Sequence, residues 1–107
     1  MTTFDERGNA FEARFALDQD QEFKAQARRN RRLGEWAGER MGLTGEALSA
    51  YAASVQKADF KESGDDDVLQ KVLADLAGKS VEVLPHELRA KMDEFLQAAR
   101  LEVKEGR

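Results

Sequence analysis

Apolar residues fall at helical spacing in four successive stretches of this chain, and Gly42, Glu62-Ser63-Gly64, Gly78 and Pro85 cut between them. A 3.6-residue period puts such positions on one face, so each stretch must bury one side against a neighbour. One proline, few β-branched residues and abundant Ala, Leu, Glu, Lys, Arg and Gln point the same way through intrinsic propensity. The fold class that follows is all-α: a small four-helix bundle over residues 19–107, whose short links set neighbouring helices antiparallel.

The first stretch runs from about Gln21 to Met41, with Asp18 or Asp20 as N-cap and Gly42 as stop. Phe23, Ala27, Asn30, Gly34, Ala37 and Met41 share its inward stripe, widened by Leu33 and Trp36. The second starts after Thr44, ends near Phe60 and turns Leu48, Tyr51, Ala52 and Val55 inward. The third is capped by Ser63, with Asp65, Asp66 and Asp67 at the positive end of its dipole. Its apolar face is Val68, Leu69, Val72, Leu73 and Leu76, and Gly78 ends it. Pro85 opens the fourth, because a first-turn proline lacks an N–H that would be unpaired anyway. That helix carries Leu88, Met92, Phe95, Leu96 and Ala99 inward and frays near Val103.

Residues 1–18 do not join this pattern. On a helix, Phe4, Phe11 and Phe15 fall within about 40° of one another, and Phe23 is turned about 100° from them. Gly8-Asn9 weakens helix locally. The expectation is a separate, mobile N-terminal segment, disordered or loosely helical when free. Burying three phenylalanines returns roughly 5–9 kcal/mol. Ordering some fifteen residues costs on the order of 15–30 kcal/mol. A partner that orders this segment must therefore surround it, contacting Ala10, Ala13 and Ala16 and pairing its charges. The five acids among residues 1–20, against Arg7 and Arg14, disfavour an anionic membrane surface.

Composition excludes several classes. No cysteine is present, so disulfide and thiolate chemistry are absent. No stretch reaches the length of a membrane span, and the N-terminus lacks signal-peptide features, which reads as cytoplasmic. The net charge of −4 argues against a generic nucleic-acid binder. The one basic cluster, Lys24, Arg28, Arg29, Arg31 and Arg32, fans around its helix. It reads as a solvated face paired with acids, as a docking patch for an acidic protein, or, in a second function class, as the contact of a helical adaptor or nucleic-acid-associated protein. Ala77-Gly-Lys-Ser80 lacks the earlier glycine and the preceding strand of a phosphate loop. The aspartate run lacks a calcium loop's alternation. His86 is the only histidine, which leaves no zinc set. Trp36 reads as packing. No nucleophile–base pair or carboxylate dyad appears, so no enzyme, cofactor or metal is inferred. Whether the bundle takes a nucleotide as a regulatory ligand stays open.

Two blocks, "TTFDERGNAFEARFALD" and "FKAQARRNRRLGEWAGERMGL", closely resemble the zeta subunit of alphaproteobacterial rotary ATP synthases, a small inhibitor of ATP hydrolysis. The resemblance runs from Thr3 to Leu43 and more loosely through the later helices, including "KMDEFL" at Lys91 to Leu96. It implies a four-helix body and an N-terminal segment that inserts as a helix between catalytic subunits and the central stalk. Hydrolysis would be blocked and synthesis left largely free. By that resemblance Phe4, Phe11 and Phe15 are anchors, and Arg7, Glu12 and Arg14 are polar contacts. Lys24, Arg28, Arg29, Arg31 and Arg32 would help dock the body. The location implied is the inner face of the membrane, reached through the synthase.

Overall fold

Helix α1 spans Gln19–Arg40, α2 Gly45–Ala58, α3 Asp65–Gly78 and α4 Pro85–Lys104. The structure, a computed structural model, describes residues 17–58 and 65–106. Among them there is no strand. The all-α, four-helix reading holds, and each observed boundary within the described residues falls within two residues of its expected place. Ser63, Phe60 and residues 1–16 lie outside the described residues.

Asp18 is the N-cap of α1. Its carboxylate accepts from Gln21 N at 2.7 Å, and the Gln21 side chain accepts from Asp18 N at 3.2 Å. This reciprocal box satisfies two donors that the first turn leaves open. At the other end Met41 N donates to Ala37 O and Leu43 N to Gly38 O, with Gly42 at φ 85°. That left-handed residue is why the chain stops and reverses there. Helix α3 ends differently. Gly78 stays in the last helical turn, and Ser80 takes the left-handed conformation at φ 61°, while Val81 N donates to Leu76 O at 2.9 Å. Glycine at 78 therefore marks the approach to the turn, not the turn itself. Helix α4 starts on Pro85, and the Glu87 side chain accepts from Leu84 N at 3.1 Å.

Helix α1 is the spine. It packs along α2 on one side and α4 on another, while α3 closes the end with fewer contacts to each. Its buried residues are Ala25, Arg29, Asn30, Leu33, Gly34, Ala37 and Gly38. The helical period places Phe23 on the inward stripe, but Phe23 is 54% exposed. The reason lies in the partners: α2 meets α1 through Gly34 and Gly38, whereas the first turns of α1 meet α4 through Ala25. The buried face thus shifts around α1 as its partner changes.

The main core joins Leu33, Ala37, Val55, Val68, Leu69, Val72, Leu76, Leu88 and Met92, with Trp36, Tyr51, Leu73 and Phe95 packed against it. A second, smaller cluster holds Ala25, Leu96, Ala99 and Val103, with Leu17 against it. The last helix ends near Val103 as expected, at Lys104, with the Val103 side chain buried in this cluster. Burial supplies what isolated helix ends lack.

Gly34 permits the α1–α2 crossing. A Cβ built there would stand 2.7 Å from the Ala52 Cα, and one at Gly38 would stand 2.5 Å from Leu48 Cδ1. The first of these obstacles is backbone, which cannot swing aside. Gly34→Ala should therefore destabilise the fold by about 1–3 kcal/mol, even though alanine gains about 1 kcal/mol in helix propensity. Urea unfolding followed by circular dichroism measures this, and a stabilised variant would refute the close crossing.

Candidate partner interface

Phe4, Arg7, Phe11, Glu12, Arg14 and Phe15 lie outside the described residues. Their root is described. Leu17 packs on the second cluster, and Asp18 has extended backbone at φ −72°, ψ 176°. A helix cannot run unbroken through that conformation. The phase difference measured from Phe23 consequently loses its meaning, because Phe23 is exposed and the chain direction is reset at Asp18. By the same 100° count, the buried residues Arg29 and Leu33 fall within about 40° of the phenylalanine trio, so the count sets no phase break between them. What ends α1 on its N-terminal side is the cap at Asp18.

The basic cluster is spread over several surroundings. Lys24 is exposed and makes no ion pair with a described residue. Arg28 pairs with Glu102 at 3.4 Å, and Arg32 makes a short ion pair with the same carboxylate. Arg29 is buried, its side chain 1% exposed, with Nη2 3.0 Å from Asp65 Oδ1 and Nε donating to Asn30 Oδ1 at 2.6 Å. Arg31 lies half-exposed beside Glu35 and Ser49. Three of the five cations, Arg28, Arg29 and Arg32, thus join α1 to α3 and α4. Lys24 is exposed, while Arg31, with 42% of its side chain exposed, is only slightly more open than Arg28 and Arg32. Helical spacing correctly shows that the cluster fans out. It does not show which acids wait opposite, since Asp65 and Glu102 are 36 and 70 residues further along the chain from Arg29 and Arg32.

A strong polar contact escaped the sequence reading. Arg100 grips Glu22 with both nitrogens, Nε at 3.0 Å and Nη2 at 2.6 Å. A planar fork matched to a carboxylate is a strong pairing geometry. This hydrogen bonding is the main reason Glu22 holds its carboxyl below the ordinary glutamate range, against a smaller opposing effect of burial. The same bond raises Arg100. Glu102 is likewise lowered, first by its bond to Arg32. A signal was available in principle: Glu22 sits two residues before the basic block, and Arg100 two residues before Glu102.

The remaining marked residues have structural surroundings. Trp36 is half-buried against the core, with the Arg40 guanidinium 5.0 Å from its ring centroid. His86 is exposed in the first turn of α4. Asp65 pairs with Arg29, and Asp66 with Arg89 at 2.9 Å. Tyr51 donates to Asp75 at 2.8 Å, and Lys71 reaches the same carboxylate at 3.0 Å. Burial, then that bond, pushes the Tyr51 hydroxyl well above its usual range. Among the described residues no group of three His, Cys, Asp or Glu side chains is placed to hold a metal. No described helix is long and apolar enough to cross a membrane.

Residues 1–102 match the family described as ATPase inhibitor subunit zeta. The chain belongs to that family. A protein solved by solution NMR is also similar, with 43% identity and a TM-score of 0.68 over 80% of this chain and 98% of its own. Among curated proteins none matches. The zeta family is described by inhibition of an ATPase, and its match spans the phenylalanine segment as well as the four helices.

The depressed carboxyls of Glu22 and Glu102 make the α1–α4 contact acid-sensitive. Each binds its proton less tightly folded than unfolded, so its contribution is present above the ordinary glutamate value. It fades as pH falls through and below about 4.3. Thermal midpoints recorded from pH 7 to pH 3 should drop in that window. Glu22→Gln should be less stable at pH 7 and should lose less on acidification than the parent. Equal pH slopes would show that the pair adds nothing.

Proposed function

We propose that this protein inhibits ATP hydrolysis by a rotary ATP synthase through its N-terminal segment. The segment, residues 1–16, inserts as a helix at a catalytic interface beside the central stalk. Phe4, Phe11 and Phe15 enter apolar pockets there, and Arg7, Glu12 and Arg14 pair with the walls. The partners are the catalytic subunits and the stalk. The protein acts as a mechanical stop and catalyses nothing itself. It works in the cytoplasm, at the inner face of the membrane, through the synthase.

The observation that carries this reading is the family match over residues 1–102, which includes the segment. Two features of the body support the division of labour. The cap at Asp18 begins the helical body just after the segment, and the described helices share two buried apolar clusters. Lys24, which is exposed, and Arg31, whose ion pair with Glu35 stays within α1, are the members of the basic cluster best placed to meet an acidic partner surface. Arg28, Arg29 and Arg32 contribute mainly by holding the body together.

The test is inhibition of ATP hydrolysis by the cognate catalytic complex. A variant lacking residues 1–16 keeps Leu17 and Asp18, so α1 retains its cap and its packing. It should fold and fail to inhibit. Replacing Phe11 and Phe15 together by alanine should raise the half-inhibitory concentration by at least about tenfold, since each buried ring is worth about 1.5–3 kcal/mol. Thermal stability should change little. Full inhibition by either variant would refute the reading.

A further inference from the structure

The opening turns of α1 are the last part of the body before the proposed inhibitory segment, and they rest on little apolar surface. Their packing partners are small: Ala25 meets Leu96, Ala99 and Val103, and Leu17 covers the edge. What supplements this thin contact is ionic. Arg100 holds Glu22 in a two-bond grip, 2.6 Å at its shorter contact, and Glu102 receives both Arg28 and Arg32. All of these acceptors and donors come from α1 and the last two turns of α4. Arg28 and Glu22 flank Ala25 on α1, and Arg100 and Glu102 flank Val103 and Ala99 on α4. The charges therefore bracket the alanine contact.

We infer that Arg100 and Glu102 are positioning residues for inhibition: they clamp the root of the inhibitory segment to the body and so fix where it leaves. The inference rests on the proposed insertion of residues 1–16. It adds that the end of α4, through its ion pairs with α1, sets inhibitory strength. With the clamp closed, residues 17–28 stay fixed on the body. With the clamp open, α1 can unwind to about Arg29, where the buried pair with Asp65 holds it. The chain between the inserted segment and the fixed part of the body then grows by roughly twelve residues, more than doubling it. Effective concentration at a tethered site falls roughly as the −3/2 power of length, which gives at least about a twofold loss. Refolding the loosened turns on each engagement adds to that loss.

Full-length Arg100→Gln and Glu102→Gln variants test this beside Arg89→Gln, which breaks the exposed pair with Asp66 away from the root. Two quantities are read: amide hydrogen exchange over residues 18–29, and the half-inhibitory concentration for ATP hydrolysis by the cognate complex. Exchange should quicken at 18–29 and stay unchanged at 68–76, while the half-inhibitory concentration rises at least about twofold. Arg100→Lys keeps the charge and should recover part of both. Arg89→Gln should leave both at the parent value. Quickened exchange with unchanged inhibition would overturn the positioning role, and so would unchanged exchange. The Phe11→Ala, Phe15→Ala double variant, run alongside, separates the two claims. If it inhibits as well as the parent, insertion itself fails. If it loses inhibition while Arg100→Gln does not, only the clamp fails.

Discussion

Helix α1 has to satisfy two neighbours at once, and the rest of the molecule follows from how it does so. Toward α2 it offers no side chain at Gly34 or Gly38, so the backbones approach until Ala52 and Leu48 fill the space. Toward α4 it offers Ala25 and a row of charges. Close backbone approach gains dispersion contacts over a short length. The charged side gains hydrogen bonds that need matched partners. One helix thus carries an apolar seam and an ionic seam, and α3 seals the junction with Val68, Leu69, Val72 and Leu76.

Arg29 marks where the two seams meet. A guanidinium with 1% of its side chain exposed would be costly alone, but Asp65 at the start of α3 stands 3.0 Å away. Removing one member of such a pair leaves an uncompensated charge, which is far worse than replacing both. Placing the acid in the first turn of α3 also suits that helix's dipole. One carboxylate thus serves the helix that bears it and the helix it faces.

The helices, their order and most core residues were legible in the sequence because each carries a local signature. Asp18, Gly42 and Pro85 announce boundaries through capping chemistry, and Val68, Val72 and Leu76 announce a face through period. Three things were not legible. Phe23 fits the helical stripe yet is exposed, because the stripe averages two faces that serve different partners. Gly78 does end its helix, but nothing local marks Ser80, two residues on, as the residue that takes the left-handed conformation. The pairings of Arg29 with Asp65 and of Arg32 with Glu102 depend on tertiary proximity, which no local window contains. For the candidate interface, the periodicity argument rested on Phe23 and fell with its exposure, Asp18 was legible as a cap, and a name for the partner came only through family resemblance.

The reciprocal cap at Asp18 has a consequence for how any helix could arise upstream. Extending α1 backward through this residue would break both hydrogen bonds of the box and rotate Asp18 out of its extended conformation. The body therefore offers no ready template on which coil could zip into helix. Helical order in residues 1–16 would have to begin from a nucleus of its own, and starting a helix is its least favourable step. A binding cleft that supplies that first turn would hold the kinetic key to engagement.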